Sequence, residues 1–96
     1  MTSNIEIIIL PRAQRDIRNI LQYTLDTWGS GQQESYRQVL DRAFERIQMF
    51  PDIGHPAYGK SSNMREYHLR HHIIHYRREP DRVVILRLVS PRRGQQ

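Results

Sequence analysis

The chain contains no cysteine, which excludes a disulfide framework, a thiol nucleophile and a thiolate metal site, and suits a reducing cytoplasm. It has no apolar run of membrane-spanning length and no opening signal peptide, so no membrane segment is expected. No glycine-rich phosphate loop is present, and none of the six serines lies in a Gly-x-Ser-x-Gly frame, which removes the common nucleotide-binding and serine-hydrolase signatures. A carboxylate pair for glycoside chemistry is missing too. Lysine is almost absent, with fourteen of the fifteen basic residues being Arg. Acid is scarce in the second half: residues 60–96 hold nine Lys or Arg against three Asp or Glu, whereas residues 1–59 hold six Arg against seven acids. The net charge of +5 is therefore carried by the C-terminal half. Arginine's planar fork matches carboxylates and phosphates, so the implied partner is a polyanion or an acidic protein segment. A merely solvated basic surface is the plainer alternative.

What is there suits one small domain, 1–96. At 96 residues, 38% apolar and 26% charged, the chain can fill a single two-layer core but not a second unit. The organising stretch is Met64 to Ser90, which reads as three consecutive antiparallel strands. Its last hairpin turns at Arg78 to Asp81, where Pro80 and Asp81 supply turn chemistry. In Val83 to Val89 only one parity contains a charge. Alternation therefore predicts Val84, Leu86 and Leu88 against the core and Arg87 on the open face.

Upstream, Ile5 to Leu10 is an aliphatic strand ended by Pro11, which suits the first turn of a helix. Ala13, Ile17, Ile20, Leu21, Thr24 and Trp28 recur at helical spacing, and Gly29 is placed to end that helix in a left-handed conformation. Ser30 with Gln33 has the spacing of a capping box, and Glu34 adds negative charge to the first turn. Tyr36, Val39, Leu40, Ala43, Phe44, Ile47 and Phe50 then keep helical period up to Pro51. So short a connection forces an antiparallel helical hairpin. Pro51 to Asn63 is a loop by composition, and Pro91 to Gln96 is a polar, basic tail. The expected fold class is α+β, β-α-α-β-β-β, with the helical hairpin packed on one face of a mainly antiparallel four-stranded sheet and strand one beside the last strand.

Four of the five histidines fall within His68 to His75. Clustered imidazoles invite a metal reading, but His72 and His75 differ in strand parity, His71 and His72 fall at a turn, and no Asp or Cys accompanies them. No metal and no cofactor is expected. The arginines remain. Arg65, Arg70, Arg77, Arg78, Arg82 and Arg87, with Lys60 before them, are expected to line one basic concavity held ready for an anionic ligand. For Arg65 or Arg87 alone, a simple ion pair with Glu66 or Glu6 is the competing explanation.

Tyr23, Thr24, Trp28, Gly29, Gln32 and Tyr36, followed by Pro51, Gly54, Arg65, Ile74, Tyr76 and the Val83 to Val89 strand, resemble the ParE toxins of the RelE/ParE superfamily of bacterial toxin-antitoxin modules. The resemblance covers nearly the whole chain. It implies the same β-α-α-β-β-β fold and a cytoplasmic toxin that arrests growth, of the kind tied to plasmid stabilisation. ParE-like members inhibit DNA gyrase by binding and are neutralised by a ParD-like antitoxin; RelE-like members are ribosome-dependent mRNA endoribonucleases. In the nuclease alternative Arg65, Arg87 and His75 would be catalytic. The Tyr or His that RelE-like enzymes keep near the end of the last strand is replaced by Ser90 and Pro91, and arginine cannot shuttle a proton. The expectation is therefore a binding protein with no catalytic residue and no favoured direct contact with nucleic acid. Its partner-binding residues are Lys60, Arg65, Arg70, Arg77, Arg87, Arg92, Arg93, Trp28 and Tyr36. Trp28 and Tyr36 are read first as packing and hinge residues and second as contacts.

Overall fold

Pro11 opens the first helix because its missing N–H would have no intrahelical partner there. In the computed structural model, which describes residues 5–57, 59 and 63–91, strand β1 (Glu6–Ile9) leads into α1 (Pro11–Trp28), followed by α2 (Ser30–Met49), β2 (His55–Pro56), β3 (Met64–His68), β4 (Ile73–Glu79) and β5 (Arg82–Val89). The five-stranded sheet runs β1-β5-β4-β3-β2. Only the β1–β5 pair is parallel, in the register Glu6 to Arg82. The expected layout holds, with one additional strand: the loop after α2 contributes the two-residue β2, which pairs antiparallel with β3.

The helical hairpin is joined through Gly29 alone, at φ 95°. Gly29 closes α1 by donating its N–H to Leu25 O and opens α2 by accepting from Gln33 N–H. Ser30 is thus the first helical residue and not the cap, and no side chain caps α2. Gln33 serves instead as a cross-helix tie, its Nε2 donating to Leu21 O at 3.1 Å. Glu34 falls beyond the first turn and pairs with Arg37.

Ala13 and Leu21 of α1, Leu40, Ala43 and Ile47 of α2, Ile74 and Tyr76 of β4, and Val83, Ile85 and Leu88 of β5 form the core. Of the β5 residues expected against the core, Val84 and Leu88 are buried, but the expected parity holds only in part. Val83 and Ile85 face the helices, while Leu86 is only half-buried. The reason is a β-bulge: His75 is opposite Arg87 but Tyr76 is opposite Ile85, so Leu86 is an extra residue. An extra residue in one strand reverses its alternation beyond that point, which returns Leu88 to the core side opposite Ile74.

Two further ties fix the sheet under the hairpin. Gln48 Nε2 donates to Ile5 O at 2.6 Å, holding α2 to the entry of β1. The fully buried Tyr76 donates its hydroxyl to Pro51 O and accepts from Gly54 N–H. Gly54 has to be glycine for this approach, since a Cβ there would lie 2.8 Å from Glu66 O and 2.8 Å from the Tyr76 ring.

Candidate partner groove and sheet faces

The arginines do not assemble into the single basic concavity expected from the sequence. Arg65 is opposite Tyr76, so it leaves the sheet on the helix side, where Nη1 donates to Gly54 O at 2.6 Å and Asp52 O at 3.1 Å. Arg78 donates to the Asp52 carboxylate at 2.9 Å. Arg77 and Arg82 each donate to Glu79 at 2.7 Å. Arg87, expected on the open face, is opposite His75 of that face, but its guanidinium is held by an ion pair, gripping Asp16 of α1 through two bonds, of 2.7 and 3.2 Å. Lys60, Arg92 and Arg93 lie outside the described residues. Of the expected partner-binding cations that are described, Arg70 alone, exposed in the β3–β4 turn, has no partner among the described residues.

These bonds have physical causes and consequences. Strand β1 stops at Ile9, so β5 has an unpaired edge beyond it. Asp16 satisfies that edge by accepting the Leu88 N–H at 2.9 Å. Burial raises the Asp16 pKa, but the bonds from Arg87 and from Leu88 N–H outweigh it and hold the carboxyl below its ordinary value. Hydrogen bonding from Arg78 likewise lowers Asp52, and bonds from Arg77 and Arg82 lower Glu79.

The open face carries a different chemistry. Glu66 is opposite His75 on β4 and His55 on β2. One carboxylate oxygen is 3.2 Å from His68 Nε2 and the other 3.8 Å from His75 Nδ1. The His55 and His68 rings meet edge-on, with centroids 5.8 Å apart. Among the described residues no three His, Asp or Glu side chains are arranged to hold a metal ion. Nor is any described helix long and apolar enough to cross a membrane. Alternation along β3 puts Glu66 and His68 on one face, and the pairing of Glu66 with His75 brings a third group to it, a convergence that the parity argument against a metal site does not capture.

Between the helical hairpin, the β3–β4 turn and the end of β5 lies a groove of about 710 Å³. Its lining combines Ile20, Tyr23, Trp28 and Tyr36 with the polar Asn19, Thr24, Gln32, His71, His72 and Ser90. Trp28 is 69% exposed and Tyr23 66% exposed, so Trp28 is a surface aromatic and not the packing residue first expected. Tyr36 does both jobs: it packs against the core cluster and lines the groove. Its hydroxyl lies 2.6 Å from His72 Nδ1. Burial pushes the Tyr36 hydroxyl up to about 12, and burial together with neighbouring His71 lowers His72. Tyr36 therefore stays protonated and His72 neutral near pH 7.

The family described as the ParE toxin of type II toxin-antitoxin system, parDE, matches residues 7–94 of this sequence. The chain belongs to that family. Among solved structures, this ParE-family chain is similar to a chain of the chromosomal ParDE toxin-antitoxin system from P. aeruginosa, at 15% identity and a TM-score of 0.76 over 91% of this chain and 96% of that one. It is also similar to a chain of the RelBE2 toxin-antitoxin complex from Mycobacterium tuberculosis, at 19% identity and a TM-score of 0.67 over 92% and 99%. A conserved hypothetical protein from Helicobacter pylori follows at 20% identity and a TM-score of 0.61, over 91% and 94%. At these identities the likeness speaks for the shared fold. No curated protein matches this sequence significantly.

Proposed function

We propose that this ParE-family chain is a cytoplasmic toxin that inhibits DNA gyrase by binding it, arrests growth, contributes to plasmid stabilisation and is neutralised by a ParD-like antitoxin. The observation that carries a binding role is the state of the arginines. Arg65 and Arg87, the pair a nuclease would aim at a phosphodiester, are bonded to Asp52, Gly54 and Asp16. The groove with Trp28, Tyr23 and Tyr36 is the surface best suited to an amphipathic segment. Exposed aromatic side chains in a concave site are the usual anchors of such contacts. The antitoxin's segment lies there, with Arg70 at the rim for its acidic residues. The test is a supercoiling assay with purified gyrase: trapped cleavage complexes are the expected result, and unimpaired supercoiling rejects the gyrase target.

One observation favours a second reading, a ribosome-dependent endoribonuclease. Glu66 with His68 and His75 on the open face supplies groups able to take a proton from a ribose 2′-hydroxyl and return one to the leaving oxygen. Ser90 lines the groove and supplies neither. Cleavage of mRNA on ribosomes that disappears in Glu66→Gln and His75→Ala would establish this reading over the first.

A further inference from the structure

Among the described residues, one hydrogen bond joins α2 to the β3–β4 turn inside the groove, between Tyr36 Oη and His72 Nδ1 at 2.6 Å. When the Tyr36 hydroxyl donates, Nδ1 accepts and the ring's own proton sits on Nε2, making neutral His72 a donor at that atom. Among the described residues no Asp, Glu, Lys or Arg lines the groove around it. From α1 the groove offers Asn19 and Tyr23, from α2 Gln32 and Tyr36, from the turn His71, and from β5 Ser90. No carboxylate among the described residues lines the site, while Arg70, unpaired and exposed, precedes the two histidines.

We propose that His72, oriented by Tyr36, is the polar reading point of the groove, and that its Nε2–H receives a carboxylate from the acidic, amphipathic segment of the antitoxin. The inference rests on the groove being the antitoxin's seat. The occupant is argued from charge: exposed Arg70 stands next in the chain to the groove residue His71 on a chain of net charge +5, and no carboxylate among the described residues lines the groove to answer it. Tyr36 acts here as a positioning residue, fixing the tautomer as the outer partner of a ligating histidine does.

The sign of the pH dependence follows by linkage. In the free toxin, burial and His71 hold the His72 pKa down. A carboxylate at Nε2 favours the protonated ring, so the complex takes up a proton more readily than its separated parts. Affinity therefore rises as pH falls through the histidine range. A carboxylate that raises the pKa by one unit tightens binding by at most about tenfold, and by a severalfold part of that between pH 8 and pH 5.5.

The measurement is calorimetric titration of the full-length toxin with the antitoxin encoded by the neighbouring reading frame, at pH 8.0, 7.0 and 5.5. Wild type is expected to tighten with acid. His72→Gln, which keeps a donor but does not titrate, is expected to bind at pH 8 and to lose the slope. His55→Gln, outside the groove, is expected to keep it, and Tyr36→Phe to weaken binding and flatten the profile. Circular dichroism of each variant confirms folding. A flat or opposite wild-type profile overturns the proposal, as does a slope that survives in His72→Gln. If wild type fails to bind at every pH, the antitoxin reading of the groove fails and takes this one with it.

Discussion

At the Asp52 corner of the sheet, Arg65 and Arg78 are bonded to a carboxylate and to backbone carbonyls, whereas none of the ten groove residues carries a formal charge when its histidines are neutral. The basic corner looks like a binding surface in the sequence and is a fastening in the fold. The neutral groove is the docking surface proposed above. Counting cations locates charge, but availability depends on whether the fold supplies acceptors, and here Asp16, Asp52 and Glu79 do so.

That contrast can be broken most severely at Gly54. Gly54→Ala places a methyl group 2.8 Å from Glu66 O and against Tyr76, so urea denaturation is expected to show a loss of about 3 kcal/mol, the upper end for overpacking. In the groove, Trp28→Ala is expected to leave stability within about 0.5 kcal/mol because the ring is exposed. It should cost about 2 kcal/mol of antitoxin affinity, roughly thirtyfold, by calorimetry. A variant that unfolds without losing affinity would invert the assignment of the two regions.

Asp16→Ala sharpens the fastening side. It orphans the Leu88 N–H and the Arg87 guanidinium, and a loss of about 2 kcal/mol is expected. Asp16 has a depressed native pKa, so its stabilisation is present above its unfolded value of about 4 and lost as pH falls through the native one. Asp16→Asn should therefore flatten the acid limb of a pH–stability curve, and an unchanged limb would show that the pair contributes nothing. The smallest effect belongs to Arg82→Ala, an exposed partner of Glu79, expected to leave the thermal melting temperature within the scatter of wild-type replicates.

The element types and their order were readable because they depend on local pattern: helical spacing from Ala13 to Trp28 and from Tyr36 to Phe50, and β-branched runs bounded by Pro11 and by Pro80 with Asp81. Strand β2 escaped because His55–Pro56 has no strand pattern of its own and is ordered only by pairing with β3. The groove was half-legible. Trp28 and Tyr36 were named, but that they share a cavity with His71, His72 and Ser90 depends on α1 and α2 folding back over the β3–β4 turn.

The sequence by itself determined the two helices, the aliphatic strands and the basic second half, since propensity, periodicity and charge are properties of neighbours along the chain. Only the tertiary structure decided which side of β5 is core and which arginines are free. The Leu86 bulge reverses a side-chain alternation that sequence can only extrapolate. The acceptor for Arg87 is Asp16, 71 residues away, and no local rule can pair two groups that meet only when the helix crosses the open edge of the sheet.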